Sequence, residues 1–515
     1  MILKTRFIYI TIALSCLFFS CSQQNEKITK KLDRIATIYP DYSGIIIPSN
    51  IAPLNFIIKE KAEKFRVRFY GKENKGFTIT SNDPAIIIPI KKWKKLLKNV
   101  NQDICIDISV RNDNGSWTGF QTIKNFVSSD PIDSYIVYRH INPALYFWKD
   151  MAIVERSLET FDESDILANK NSDFNCIHCH TFNRNDPEEM VLHVREAHGG
   201  TIIKTKEKTL WLNTKTPYTI SSFVYPSWHP NGRFIAFSTN KIHQFFYGMG
   251  HRLNHVYDEA SDIILYDIQR NMVFTSPKIA SGDLENLPTW SPDGKYLYYI
   301  NCPLHEASNR DSLMRYDLMR IRFDENTLQF GDPELLISAK TSNMSVSFPE
   351  VSPDGKFVLF CMADYGYFTI GNPTSDLYML DLRTMKYSKL NINSNQTESF
   401  HCWSSSGRWI VFASKRVDGI ITLPYFSYVD SGGIAYKPFV LPVKDPELLE
   451  TRLFNYNRPV FVRTKLRISQ DDLLGKILGP ASKVYFDTIN VDINALIGVK
   501  AISEKNQGNS SYRRE

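Results

Sequence analysis

From Tyr39 to about Asp130 the chain runs through short apolar-polar alternations: Ile45 to Pro48, Leu54 to Ile58, Arg66 to Tyr70, Phe77 to Ser81, Ile104 to Val110 and Trp117 to Phe126. A period of two residues puts successive side chains on opposite faces of a strand. Turn residues separate several runs, most plainly Asn112-Asp113-Asn114-Gly115 between the last two. One patch has the helical period instead: Trp93, Leu96, Leu97 and Val100 share a face between Lys91 and Val100. An immunoglobulin-like β-sandwich is therefore expected over residues 39–132. The stretch from Tyr135 to Asn171 shows neither period. Residues 133–200 are expected to be a helical or irregular segment.

The second half repeats itself. Ser227-Trp228-His229-Pro230-Asn231-Gly232-Arg233-Phe234 recurs as Thr289-Trp290-Ser291-Pro292-Asp293-Gly294-Lys295-Tyr296, and as Glu350-Val351-Ser352-Pro353-Asp354-Gly355-Lys356-Phe357. A fourth copy, Cys402-Trp403-Ser404-Ser405-Ser406-Gly407-Arg408-Trp409, lacks the proline. Asn-Gly or Asp-Gly between two strand-like runs marks a tight hairpin, because both turn positions need positive φ. A second element follows the first three copies, at Ser261-Asp262, Asp311-Ser312 and Ser375-Asp376, each opening an apolar run that ends in aspartate. Four strands in each unit of ~50 to 60 residues is the arithmetic of a β-propeller. Strand patterning at Thr201 to Asn213 and Tyr425 to Val499 extends it to six blades over residues 201–500.

These copies resemble the repeat of TolB-type propellers, directly over Val224 to Ser414. The whole chain further resembles a family of exported TolB-like lipoproteins of Gram-negative bacteria. That resemblance rests on Tyr39-Pro40-Asp41-Tyr42-Ser43, Asn50-Ile51-Ala52-Pro53-Leu54-Asn55-Phe56, Cys176 to Phe182, Gly199-Gly200-Thr201 and Ser261-Asp262. It implies the architecture and a haem. The partner-binding role of TolB itself is not carried over, because the preceding domains differ.

The ends change the picture more than composition does. Lys4 and Arg6 precede an apolar run from Phe7 to Phe19, too short to span a bilayer and fitting a signal peptide over residues 1–21. It ends at Ser20-Cys21, which resembles a lipobox and predicts lipidation at Cys21; an ordinary signal peptide cut nearby is the alternative. Residues 22–38 are polar and lysine-rich, suited to a tether, and residues 501–515 are expected to be a disordered tail. The chain is expected to be exported and lipid-anchored in the cell envelope, periplasmic or at the outer membrane. A net charge of +6 over 515 residues, spread along the chain, argues against nucleic acid. Of eight cysteines, Cys16 and Cys21 belong to the leader; Cys105, Cys302, Cys361 and Cys402 read as buried free thiols.

The chemistry concentrates in Cys176-Ile177-His178-Cys179-His180. Cys-x-x-Cys-His is the c-type haem attachment signature: two thiols reach two vinyl groups while the adjacent histidine ligates iron. An exported chain is where such attachment occurs. Cys176, Cys179 and His180 are thus the expected haem c residues, with Met190, His193 or His198 as sixth ligand. Two other readings share these residues: a zinc site of Cys176, Cys179, His193 and His198, or a Cys176–Cys179 disulfide or redox pair with His180 incidental. His243, His251 and His255 form a second histidine-rich stretch, read as solvated or as further ligands. Asp262, Asp267, Asp376 and Asp381 recur with the blades and read as turn and capping residues. Trp228, Trp290 and Trp403 share one repeat position and read as core. The expected function is electron transfer or haem-linked sensing, with the propeller as a platform for an envelope protein or redox partner. A non-redox binding scaffold and a haem-dependent oxidoreductase are the competing classes.

Overall fold

A computed structural model describes residues 27–72, 75–142, 150–245, 255–304, 313–451, 454–493 and 496. The leader with Cys16 and Cys21, the tail 501–515, His251 and Asp311-Ser312 lie outside the described residues. The chain is mainly β. Its N-terminal part is a sandwich of a seven-stranded and a three-stranded sheet. Phe65, Val67, Phe69, Ile104 and Ile106 of the large sheet share a core with Ile38, Phe56 and Ile86 of the small one. The expected helix forms over Ile90–Leu97 and buries Trp93, Leu96 and Leu97 in that core. The indole of Trp93 also donates to the carbonyl of Ile51 at 3.0 Å. Two strand pairings in the large sheet are parallel, Ile28–Ile35 with Trp117–Gln121 and Ile46–Pro48 with Ile123–Ser128, which departs from the antiparallel immunoglobulin arrangement. The first of these strands lies in the stretch read as a tether. Its side chains are almost all exposed, and it is held by its backbone pairing and a few polar contacts, among them Thr29 to the Trp117 carbonyl at 3.1 Å and Arg34 to Glu60 at 2.8 Å, while its polar sequence carries no strand signal.

Six blades follow a closed ring. Blade 1 is Cys176–Phe182, Met190–Arg195, Gly200–Lys204 and Thr209–Asn213. Blade 2 is Val224–Trp228, Phe234–Phe245, His255–Asp267 and Met272–Phe274. Blade 3 is Leu284–Trp290, Tyr296–Cys302 and Asp317–Asp324, with Gln329–Phe330 and Glu334–Ile337 sharing its outer edge. Blade 4 is Ser345–Val351, Phe357–Ala363, Asp376–Asp381 and Lys386–Lys389; blade 5 is Glu398–Trp403, Trp409–Ser414, Leu423–Tyr428 and Phe439–Val440. Blade 6 takes its inner strand, Asn455–Val462, from the C-terminal part of the chain, and its outer three, Tyr135–Ile141, Met151–Ser157 and Glu163–Ala168, from the region before blade 1. Each inner strand lies against the next, and that of blade 6 against that of blade 1. The four repeated Asn-Gly, Asp-Gly and Ser-Gly turns fall in blades 2 to 5 at one place, between the first and second strands, with glycine φ near +70°.

The segment 133–200, expected to be helical or irregular, is therefore stranded, and the propeller begins near Tyr135 rather than Thr201. The reason is burial on both faces. Met151–Ser157 has buried residues at nearly every position, because blades pack on either side of it. A strand covered on two faces loses the period of two that reveals a half-buried one.

The sandwich is bolted to blades 5 and 6. The Trp409 indole donates to the Asp130 carbonyl at 2.9 Å, Ser405 N–H to Asp133 at 2.7 Å, the Asn55 amide to the Lys444 carbonyl at 2.8 Å, and Ala52 N–H to the Leu158 carbonyl at 2.7 Å. Beyond Val462 the helix Gln470–Ile477 packs on Glu163–Ala168, and Ser482–Lys483 and Tyr485–Phe486 clip the edges of blades 1 and 2. Among the described residues no helix is long and apolar enough to cross a membrane.

Candidate functional site

Every inner strand carries one extra residue against its neighbour. The register slips between His178 and Thr181, Val224 and Ser227, Asn286 and Thr289, Ser347 and Glu350, and Ser399 and Cys402. The same slip occurs on Asn455–Val462 opposite Val137 and Arg139. In each bulge one non-glycine residue has positive φ: Cys179, Tyr225, Leu287, Phe348, Phe400 and Arg458, all between 47° and 55°. Bulges re-aim a side chain, and here they aim six at the propeller axis. The Tyr225 ring of blade 2 lies 6.3 Å from the Phe348 ring of blade 4, and Arg458 of blade 6 sits 5.8 Å over Tyr225. Contacts that skip a blade can only cross the axis. Phe348 in turn meets Phe400 at 5.1 Å. The channel is plugged at this level, and Cys179 is one sixth of the plug.

The residue after each bulge is Pro226, Pro288, Pro349 and Pro459 in four blades, and His180 and His401 in the other two. The two histidines behave alike. His401 Nε2 bonds the carbonyl of Leu359, in the second strand of blade 4, at 3.1 Å. His180 Nε2 bonds the carbonyl of Val137, in the strand next to the inner one of blade 6, at 3.4 Å. Both are buried neutral rings: burial pulls His180 down to about 3 and His401 to about 4. Each staples its blade to the one before.

Around Cys179 the strand alternates as a propeller strand must. Ile177 and Phe182 face blade 6 in a core with Met190, Leu192 and Val194. Met190, a proposed sixth ligand, is thus buried core. His178 stands across the ladder from His193, their rings 5.0 Å apart, and His178 Nδ1 lies 2.7 Å from the Cys179 sulfur. Burial holds His178 well below the usual histidine range and His193 at about 3. His193 Nδ1 is hydrogen-bonded to the Thr201 hydroxyl at 3.0 Å, and His198 Nε2 pairs with Asp173 at 2.9 Å in the loop beyond. Burial pushes the Cys176 thiol up, opposed by the Arg139 guanidinium whose charge acts on both cysteines. Three buried atoms here have no hydrogen-bond partner: His178 Nε2, His180 Nδ1 and Arg139 Nε.

A c-type haem would need both sulfurs and the His180 Nε2 on one porphyrin. Cys179 points to the axis while His180 points between blades, with Nε2 committed to Val137 and the orphaned nitrogen being Nδ1. The plug fills the space on the axial side. The residues in this fold do not fit that group. Nor are Cys176, Cys179, His193 and His198 drawn together, since both histidines bond elsewhere. Among the described residues no three His, Cys, Asp or Glu side chains are grouped to hold a metal ion. Cys176 and Cys179 are free thiols, as are Cys105, Cys302, Cys361 and Cys402.

The remaining candidates are structural. His243 pairs with Glu259 at 3.0 Å and stacks on Tyr257. Asp267 binds Arg233 and the turn amides of Gln269 and Arg270, and Asp381 binds Arg383. Trp228, Trp290 and Trp403 are core. Sequence reasoning missed Tyr225, Arg458 and Arg139 as neighbours of Cys179. Aligning the residues before Pro226, Pro288, Pro349 and Pro459 would have found the first two.

No protein-family model and no curated protein matches the chain. Solved structures similar to it include Kuenenia stuttgartiensis hydrazine synthase, at 11% identity and a TM-score of 0.41, over 66% of this chain and about half, 48%, of that one. A chain of a nidogen/laminin complex gives 9%, 0.37, 64% of this chain and 99% of that one. The Myceliophteria thermophila Cps50 (Swd1) β-propeller domain gives 12%, 0.30, 51% and 70%.

Proposed function

We propose that this chain is an exported, lipid-anchored binding protein of the TolB-like kind, whose propeller offers one end to an envelope partner. The observation that carries this reading is the ring of six bulges: the Cys176–His180 motif is one member of it, and its histidine does what His401 does. A plugged, stapled axis makes a rigid platform, and the motif serves its rigidity. Function then falls to the loops at the ends.

The two ends differ. The sandwich leans on the end bearing the Gly turns, through Ser405 and Trp409. At the opposite end, where the inner strands begin, Phe174, Leu304, Leu313, Val417 and Ile420 are exposed. Met385, Ile434 and Tyr436 are exposed at the turn end as well, but the sandwich occupies part of that end, so the opposite one is the open apolar surface for a protein partner. A photo-crosslinking residue at Phe174 or Ile420 should capture one specific envelope protein in intact cells, and one at Asp293 or Asp354 should not. Capture from the turn end alone would reverse the assignment. For the anchor, Cys21→Ala should release the protein from the membrane fraction; retention without lipid mass at Cys21 would rule out that mode of attachment.

A further inference from the structure

The outer face of the large sandwich sheet sets basic side chains against one another. One row runs straight across four strands: Ile28 pairs with Trp117, Trp117 with Arg111, and Arg111 with Lys64. The residues that alternate with these, Phe65, Val67, Val110 and Phe120, lie in the core, so Lys64, Arg66, Arg111 and Trp117 share the opposite face. In the next two rows Arg66 stands opposite Ser109 and Arg68 opposite Asp107. Arg66 lies 3.9 Å over the Trp117 ring and Arg68 4.7 Å over that of Tyr70.

Lys64 and Arg111 thus oppose each other as like charges, an arrangement that weakens a sheet. Arg111 Nε is buried and has no hydrogen-bond partner. Over these three rows the strands Lys64–Gly71 and Gln102–Arg111 hold Lys64, Arg66, Arg68 and Arg111 against Asp107, which already accepts from the Thr122 hydroxyl at 2.6 Å. Lys30 and Lys31 lie exposed on the edge strand beside them. Ile28, 53% exposed, covers Gly119 on the same face, where an added Cβ would meet its side chain at 3.1 Å. The small sheet, across the core, carries contacts to the propeller: the Tyr39 hydroxyl donates to the Leu449 carbonyl at 3.1 Å, and Asn55 donates to that of Lys444. The basic face is the layer turned away from the blades.

Position says what such a face meets. Ile28, which starts the first row, is seven residues from Cys21, a stretch that spans at most ~25 Å when fully extended. The row itself crosses three strand spacings, about 14 Å. Resting on the reading that Cys21 carries lipid, we infer that this face lies on the anionic headgroups of the membrane that anchors the chain. Lys64, Arg66, Arg68 and Arg111 meet lipid phosphates, and the blades stand away from the bilayer with the sandwich between. Each base near such a surface strengthens binding about fivefold, and salt screens the effect. The patch orients the chain while the lipid holds it.

The test uses the mature chain from Ser22, purified without lipid and sedimented at low salt with vesicles of phosphatidylcholine, with and without phosphatidylglycerol. It should bind only the vesicles that contain phosphatidylglycerol, and about 0.5 M sodium chloride should release it. Lys64→Glu, a change of two charge units, should weaken binding about 25-fold. Its melting temperature should stay the same or rise, because a like-charge pair with Arg111 becomes an ion pair. A base that served the fold alone would give the opposite split. Lys386→Glu, the same charge change on the exposed edge of blade 4, should leave binding as it is. Equal sedimentation with both vesicles, or with neither, overturns the proposal. So does a Lys64→Glu chain that binds like wild type, or an equal loss in Lys386→Glu. Binding to polygalacturonate and not to vesicles overturns it in favour of an acidic glycan. Because the chain used carries no lipid, these outcomes are independent of the Cys21→Ala fractionation, which tests the anchor alone.

Discussion

A fragment running from Thr201 to the C-terminus should not fold. By its sequence it holds the whole repeat-bearing half, yet it begins inside the third strand of blade 1, Gly200–Lys204. Cutting there removes the first two strands of blade 1 and all three outer strands of blade 6. Asn455–Val462 would then be a lone strand exposing Phe461 and Val462. The core between blades 6 and 1 would lose Val137, Ile153, Leu167, Ile177, Leu192 and Val194, each fully or almost fully buried. At about 1.5–3 kcal/mol for each such side chain, that loss matches or exceeds the ~5–15 kcal/mol by which a whole domain is stable. The fragment is expected to show no cooperative thermal transition and no near-ultraviolet dichroism, whereas the chain from Ile28 onward gives both. A cooperative melt of the fragment would mean that the ring closes in some other way.

The reason this boundary misleads lies in particular residues. Blades 2 to 5 announce themselves because each keeps a Gly at a turn that needs positive φ, beside a Trp or Pro that fills a repeat position. Blade 1 is the same unit without those marks. Its turn is Asn183-Arg184-Asn185, where Arg184 and Asn185 adopt positive φ in place of glycine, and His180 stands where four blades have proline. Blade 6 is split between residues 135–168 and 455–462, and no pattern within either piece reveals a partner three hundred residues away. In the sandwich, by contrast, Phe77–Ser81 and the helix at Ile90–Leu97 are legible because one face of each is wet.

The motif is the sharper lesson. Cys-x-x-Cys-His is improbable by chance, and its spacing alone points to haem. What the spacing does not carry is the backbone: a strand with a bulge turns Cys179 and His180 in different directions, and the repeat had already assigned both positions.

His180→Pro should fold, stay within about 1 kcal/mol of the wild type at pH 7, and be the more stable protein at pH 5. Proline occupies this position in four of the blades, and the ladder skips it, pairing His178 and Thr181 instead, so no sheet amide is lost. Removing the bond to Val137 costs about 1 kcal/mol, and the stiffer unfolded chain offsets about 0.4–1 kcal/mol of it. The acid effect has a definite sign. The folded ring titrates at about 3 and an unfolded histidine at about 6.5, so its stabilising contribution is whole above pH 6.5. Below that the unfolded chain takes up a proton the folded chain refuses, and stability is lost steadily as pH falls toward 3. At pH 5 the loss is about 2 kcal/mol, from ~1.4 kcal/mol for each pH unit. His178, His193, His401 and the buried acids are common to both proteins, so the difference between them isolates His180. Denaturant unfolding of both at pH 7 and pH 5 measures it. If His180 instead ligates iron, wild-type protein from a host that attaches haem would show a Soret band, and His180→Pro would shift or abolish that band while losing stability at both pH values.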